Sequence, residues 1–292
     1  MELTCAISSS SMSSMIMSPR VPSRTPRVDR GMQTGFLPTI LIESLFCEHF
    51  TEAPNVELFP DGRFVPLTFS MGFLESPFEL VSDAYLAWTK QHHRALEIYP
   101  VDGGLSSGLS HLEPLSTPPR RKLLLATESK WTAYFDNGAR GPDPMPPVSY
   151  LAQRLQCRGV VARSIPHIWK GEVGVTGTYG IVQFELFAPQ PREFLNYERS
   201  VGALHDGTRW CFEVQGTVQP YEEVDQYSAR KIRDRFTPEM LERYCSALGI
   251  RIFDETFYRG PGLLVVNQDP LPQGAEELTL IQAQSRLGRA SR

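Results

Sequence analysis

The chain lacks several features that would assign it to a functional class directly. Its longest apolar stretch, FLPTILIESLF at 36–46, is well short of the roughly 20 residues that a membrane-spanning helix needs. The net charge is only −4, which gives no overall attraction to nucleic acid or to anionic membranes. The metalloprotease motif HExxH and the dinucleotide-binding motif GxGxxG are both absent. We therefore expect a soluble protein with no membrane association and no nucleic-acid partner suggested by its composition.

Closely spaced cysteines are also missing. The five cysteines, Cys5, Cys47, Cys157, Cys211 and Cys245, are scattered along the chain. No two have the spacing of a zinc knuckle or of a CxxC redox pair. We expect reduced thiols, which is typical of an intracellular protein, and we predict a cytoplasmic location with no metal and no cofactor.

The two ends of the chain differ in composition from the middle. Residues 1–30 are rich in serine and arginine and almost free of acids, a bias also found in organelle transit peptides. Two alternatives are a disordered tail and translated upstream sequence with the working start at Met71. We predict that residues 1–70 lie outside the fold, that 71–121 form a helix and a linker, and that 268–292 form a flexible tail. The helix is expected to start with a capping box at Ser76, Pro77 and Glu79.

The middle of the chain, residues 122–267, has the pattern of short strands with few helices. KWTAYFDNG at 130–138 and TRWCFEVQG at 208–216 each begin with a base and a tryptophan and then alternate apolar and polar residues. The pattern predicts an α+β fold with a mostly antiparallel sheet and a few helices packed on one face. One hypothesis is that a strand-strand-helix-strand unit is duplicated over 122–188 and 199–267. Duplication would make the strands of Trp131 and Trp210 equivalent, with both indoles buried. A helix is expected to start at Thr237 and to stop at Gly249.

The candidate site residues come from the polar side of these strands and from one loop. Carboxylates interleaved with arginines on one sheet face could bind a ligand or a protein partner; the alternative is an ordinary solvated face. The ligand-binding candidates are Tyr134, Asp136, Arg158 and Arg251, with Gln183 on the same predicted face. The catalytic candidates are His167, Glu185 and Glu213; His167 is included because it lies in a loop beside Trp169 and Lys170.

Three functional hypotheses remain open at this stage. The first is a non-catalytic binding or interaction protein, such as an adaptor, an antitoxin or an immunity protein, with a protein partner or a small ligand. The second is an enzyme whose site is assembled from distant residues on the polar sheet face. The third is a nucleic-acid-associated protein that uses the basic N-terminal arm. A deep cleft with convergent titratable groups would favour the second.

Overall fold

The computed structural model describes residues 57–168, 177–190 and 196–288. The strands are β1 (Ser70–Leu74), β2 (Leu96–Val101), β3 (Leu115–Thr117), β4 (Arg121–Ala126), β5 (Thr132–Asp136), β6 (Gly159–Ile165), β7 (Ile181–Phe187), β8 (Tyr197–His205), β9 (Trp210–Gly216), β10 (Gly262–Asn267) and β11 (Glu276–Leu278). The helices are α1 (Phe78–His92), α2 (Gly104–Ser110), α3 (Met145–Leu155), α4 (Pro238–Ala247) and α5 (Leu280–Arg286), with short 3-10 helices at Val224–Ser228, Ile232–Asp234 and Glu255–Phe257.

Nine of the strands form one sheet in the order β2-β10-β4-β5-β1-β6-β7-β8-β9. Every neighbouring pair in this sheet is antiparallel. Strands β3 and β11 form a separate two-stranded sheet. The predicted α+β fold with a mostly antiparallel sheet is therefore confirmed.

Helices cover both faces of the large sheet rather than one. On the face that carries Tyr134, which we call the Tyr134 face, α1 and α3 pack through residues such as Val81 and Val148. On the opposite face, α2 and α4 contribute Leu109 and Leu241 to the larger core. As a result all five residues of β1 and all five of β5 are buried. Polar residues on the Tyr134 face of β5 are thus enclosed instead of solvated.

The closeness of α3 to the sheet depends on two glycines. A Cβ atom added to Gly72 would lie 2.6 Å from Val148 Cγ2, and one added to Gly159 would lie 2.7 Å from Val148 Cγ1. Because real side chains do not tolerate such distances, glycine at both positions lets the helix settle directly on β1 and β6.

The predicted domain boundaries are corrected by the structure. Leu58, Phe59, Leu67 and Phe69 are buried, so residues 57–70 are part of the fold although their sequence carries no clear periodicity. The segment 71–121, predicted as a helix and a linker, also contains β2, α2 and β3. The described part of 57–288 belongs to one compact unit.

The predicted C-terminal tail is structured over most of its length. It contains β11 and α5, and α5 begins with a capping box formed by Thr279 and Gln282. Leu278 and Leu287 are buried, which ties this segment to the body of the protein. Residues 289–292 and residues 1–56, with the transit-peptide and arm hypotheses, lie outside the described residues.

The internal duplication is not confirmed. The first unit contains β4, β5, α3 and β6 in the predicted order, whereas in the second unit α4 is followed by a turn and a 3-10 helix instead of directly by a strand. The two tryptophans also differ: Trp131 is 1% exposed, but Trp210 is only half-buried on the edge strand β9. The two sequence stretches look alike because each alternates with the period of two that strands share.

The two predicted helix starts have different outcomes. Thr237 is the N-cap of α4, and its side chain accepts a hydrogen bond from Met240 N, while Gly249 follows the helix with φ of +83°. The N-cap of α1 is Pro77 rather than Ser76, without a side-chain capping bond. Its ψ of 145° gives the chain the extended entry that a capping residue normally has, so no serine acceptor is required for the turn.

Candidate functional site

A cavity of about 300 Å³ lies between the C-terminal half of α1 and the ends of β4 and β5. Its lining residues are Tyr85, Trp88, Thr89, His92, His93, Pro119, Lys122, Tyr134, Asp136, Asp143 and Pro147. Tyr134 and Asp136 at its base are each 2% exposed, whereas His92 and Asp143 are exposed at its rim. The cavity therefore leads from solvent to buried polar groups of the sheet.

Aromatic side chains form one wall of the cavity. The ring of Tyr85 lies 6.0 Å from that of Tyr134 and meets Trp88 edge-on at 6.0 Å, measured between centroids. Trp88 in turn stacks on Tyr150 at 4.7 Å. Since the periodicity of α1 places Tyr85 and Trp88 at i and i+3, both rings project from the same side of the helix. Flat apolar groups are well accommodated by such a wall.

Asp136 is the buried acid of the site. Its Oδ1 accepts the N–H of Gly138 at 2.9 Å, and its Oδ2 accepts the N–H of Asp143 at 3.0 Å. Burial raises the pKa of Asp136 to about 6, although these two hydrogen bonds favour the ionised form and limit the rise. Each oxygen keeps a second lone pair, so the carboxylate can accept a further hydrogen bond or a proton.

Lys122 is the base that faces this acid across the sheet. It is the cross-strand partner of Asp136 in the β4–β5 ladder, so their side chains leave the same face as close neighbours. Its ammonium donates a hydrogen bond to the Pro119 carbonyl. Burial lowers the pKa of Lys122 to about 8, against the opposing attraction of Asp136. None of the ion pairs between described residues joins Lys122 to Asp136, which leaves both groups available to a third partner.

The rim at the end of α1 is held by Asp269. His93 Nδ1 lies 3.1 Å from Asp269 Oδ2 and 3.0 Å from Asn267 Nδ2. The same carboxylate accepts the N–H groups of Arg94 and Ala95, each at about 3 Å. His92, the last residue of α1, and His93, its C-cap, both lie at the mouth of the cavity.

The strand register places several sequence candidates in one row on the Tyr134 face. Lys122 pairs with Asp136, and further along the sheet Ser70 pairs with Arg163, which pairs with Gln183. The row continues through Gly202 to Glu213. At about 4.8 Å per strand, however, Glu213 on β9 is about 24 Å from Asp136 on β5. The polar residues share a face, as predicted, but do not converge on one site.

Glu185 forms a separate buried cluster on β7. Its Oε1 accepts the phenol of Tyr197 at 2.6 Å, and its Oε2 lies 4.0 Å from the Arg163 guanidinium. Burial raises the pKa of Glu185, with Arg163 and the Tyr197 hydrogen bond opposing the rise. Three strand spacings separate it from Asp136, about 14 Å, so it does not belong to the cavity.

The other candidates have local partners of their own. Arg158 binds both carboxylate oxygens of Glu75, at 2.5 and 2.8 Å. Arg251 pairs with Glu128 and Asp254 at the surface. Neither arginine lines the cavity, so of the four predicted ligand-binding residues only Tyr134 and Asp136 come together.

His167 lies in a ring cluster at the other end of the sheet. Its ring centroid is 4.5 Å from that of His205 and 5.8 Å from that of Trp210, and its Nδ1 accepts the N–H of Gly180 at 3.1 Å. Burial and the neighbouring His205 lower the pKa of His167. Its predicted neighbours Trp169 and Lys170 lie outside the described residues. His167, Glu185 and Glu213 therefore do not form a single catalytic group.

The stretch GLSSG at 104–108 has the spacing of a GxSxG nucleophile elbow, but its structure differs from one. Ser106 lies within α2 rather than on the strained turn between strand and helix that exposes such a nucleophile. Its hydroxyl donates to the carboxylate of Glu255, where a nucleophilic serine would have a histidine base.

Sequence reasoning missed Lys122, Trp88 and the two histidines as site residues. A signal for Lys122 was present, because a hairpin joining KLLLATE to TAYFD puts the first residue of one strand opposite the last residue of the other. Trp88 could be predicted as a site residue only if it were known which helix covers the Tyr134 face. That depends on contacts between segments about 45 residues apart.

No family model, no curated protein and no solved structure matches the chain. Over the described ranges, none of the helices is long and apolar enough to cross a bilayer. In the same part of the chain no group of three or more His, Cys, Asp and Glu side chains is placed to hold a metal ion.

Proposed function

We propose that the protein binds a small organic ligand in the cavity between α1, β4 and β5. The observation that carries the proposal is the combination of an aromatic wall with a buried acid, Asp136, and a partly buried base, Lys122, that are not paired to each other. Pockets of about 300–1,000 Å³ with apolar walls and a few placed polar groups are typical of ligand sites. A buried charged group without an ion-pair partner lowers the stability of the fold. Its presence therefore indicates a role in function instead of folding.

The chemistry of the lining indicates a flat ligand with a hydrogen-bond acceptor at one end. Burial raises the pKa of Tyr85 and of Tyr134, so both phenols stay protonated. With the ammonium of Lys122 they supply donors for a carboxylate or carbonyl oxygen. The rings of Tyr85 and Trp88 supply the apolar surface for the rest of the ligand. An aromatic carboxylate such as benzoate has these features at a size that the cavity can hold.

This proposal makes the binding-protein hypothesis specific, with a small ligand as the partner. The enzyme hypothesis is the second candidate, and one observation favours it. Burial raises the pKa of Asp136 to about 6 and lowers that of Lys122 to about 8, and an acid and a base poised on either side of neutrality suit proton transfer. The nucleic-acid hypothesis depends on residues outside the described ranges.

Ligand-observed NMR with three probes of similar size tests the proposal. Benzoate supplies a ring and an acceptor, cyclohexanecarboxylate lacks the flat ring, and benzylamine carries the opposite charge. We expect benzoate to bind most tightly, and Lys122→Met or Trp88→Ala to weaken it by about tenfold or more. Lys90→Met is the matched control, because Lys90 is exposed on α1 and is not part of the lining.

The proposal is rejected if none of the three probes binds, or if benzoate binds equally well to the wild-type protein and to both cavity variants. Circular dichroism of each variant checks that its fold is intact. Because Lys122→Met and Trp88→Ala change opposite walls of the cavity, one of them remains informative if the other does not fold.

A further inference from the structure

Lys122 differs in its surroundings from the other lysines that the structure describes. The chain has only five, at positions 90, 122, 130, 170 and 231. Lys90, Lys130 and Lys231 are exposed, whereas Lys122 lines the cavity and is partly buried. Lys130 is moreover held by the carboxylate of Glu75. A partly desolvated amine that lines a cavity, with a carboxylate nearby to accept its proton, has the arrangement of a nucleophilic lysine.

We propose that Lys122 condenses reversibly with the carbonyl carbon of a small aromatic aldehyde or ketone held in the cavity. This inference rests on the proposed function, since the same cavity holds the ligand, and it adds a covalent step and the chemical class of the ligand. The aromatic wall orients the ring, and the carbonyl group reaches the Lys122–Asp136 end of the cavity, where the sheet floor is polar.

The step balances with the groups present. The Lys122 ammonium loses a proton, which reaches Asp136 through one water because no ion pair joins the two groups. The neutral amine attacks the carbonyl carbon, so that a C–N bond forms as the C=O π pair moves to oxygen. The oxygen gains a proton as the nitrogen loses one, which gives a carbinolamine. Asp136 then returns its proton to the hydroxyl, the C–O bond breaks, and water leaves a protonated imine. The net change is ammonium plus carbonyl to iminium plus water, with no oxidant or reductant.

The environment of Lys122 favours the first of these events. Burial lowers the pKa of Lys122 to about 8, so a much larger fraction of the amine is neutral at pH 7 than for an ordinary lysine. Asp136 can act as the proton carrier because both of its oxygens keep a free lone pair beside their backbone hydrogen bonds.

Reductive trapping of the full chain tests the proposal. The protein is incubated with limiting benzaldehyde and cyanoborohydride, and the benzylated lysines are identified by peptide mass spectrometry. We expect Lys122 to be modified about tenfold faster than Lys90 and Lys231, and excess benzoate to protect it selectively. The Lys122 rate should rise with pH to a plateau above about pH 8. Asp136→Asn should slow the trapping of Lys122 without changing that of Lys90.

Equal labelling of Lys122 and the exposed lysines would overturn the proposal, as would labelling that benzoate does not reduce. The labelling ratio and the protection by benzoate are both read from wild-type protein, so these two results do not depend on a variant that folds. If benzoate binds at the cavity while Lys122 is labelled no faster than Lys90, the covalent step fails and the proposed ligand binding stands. If benzoate does not bind either, both fail.

Discussion

At the scale of single residues, the charged groups of the cavity lower the stability of the folded protein. Lys122 and Asp136 are the only neighbours of opposite charge that face each other within the β4–β5 ladder, yet they do not neutralise each other in an ion pair. Burial disfavours the charged form of both groups. Side chains that destabilise the fold are typical of functional sites, because ligand binding or catalysis requires them there.

Replacing Lys122 by methionine should therefore stabilise the protein at neutral pH. The pKa of Lys122 is about 8 in the folded chain, lowered from 10.5, so below about pH 8 the ammonium is charged in both states and is penalised only in the folded one. We expect a gain of about 1–3 kcal/mol at pH 7 in urea denaturation, reduced by the hydrogen bond lost at Pro119. The unfolded state binds more protons between pH 8 and 10.5, so wild-type stability rises across that range and the gain shrinks.

Lys90→Met is the control, since Lys90 is exposed and its replacement should leave the free energy of unfolding nearly unchanged. If Lys122→Met were less stable than the wild type at pH 7, the ammonium would contribute to folding. The inference that Lys122 is present for function at a cost in stability would then be wrong.

At the scale of secondary-structure elements, position in the sheet decides the role of each strand more than its own sequence does. The segments around Trp131 and Trp210 look alike, but β5 lies in the middle of the sheet and β9 at its edge. The alternation of each strand was predictable because period-two patterning is local. Strand order was not predictable, since it depends on which segments pair across long sequence separations. The same limit applies to the site: Asp136 could be identified on its strand, whereas its convergence with α1 could not.

This difference predicts unequal effects of truncating the two tryptophans. Trp131 is 1% exposed and its Nε1 donates to the Leu248 carbonyl at 2.9 Å. Trp131→Ala should cost about 3–5 kcal/mol through lost burial, a cavity and an unpaired carbonyl. Trp210 is half-buried on the edge strand, and Trp210→Ala should cost about 1–2 kcal/mol. Denaturant titration of both variants gives the comparison, and equal losses would contradict the unequal roles of the two strands.

At the scale of the whole molecule, the fold class could be inferred from the sequence but the extent of the fold could not. Strand alternation and the helix signals at Pro77 and Thr237 were sufficient for an α+β assignment. Residues 57–69 have no regular period because they form turns that pass over the core. Each of their apolar side chains is buried by contacts with residues distant in the sequence. Such contacts cannot be predicted from the local pattern of apolar and polar residues. The C-terminal segment was predicted as a flexible tail because α5, only seven residues long, is too short to give a clear local pattern.

Two truncated chains test the extent of the fold. A chain starting at Glu57 keeps every described residue, whereas a chain starting at Met71 also loses 57–70, which contains the buried Leu58, Phe59, Leu67 and Phe69 and the first residue of the central strand β1. Burying each of these side chains is worth about 1.5–3 kcal/mol, and their sum is comparable to the about 5–15 kcal/mol that holds an ordinary domain folded. The Met71 chain should therefore lose its cooperative thermal transition by circular dichroism, while the Glu57 chain keeps one. Equal melting temperatures for the two would place residues 57–70 outside the stabilising core, since a segment that completes the packing of β1 cannot be removed without loss of stability.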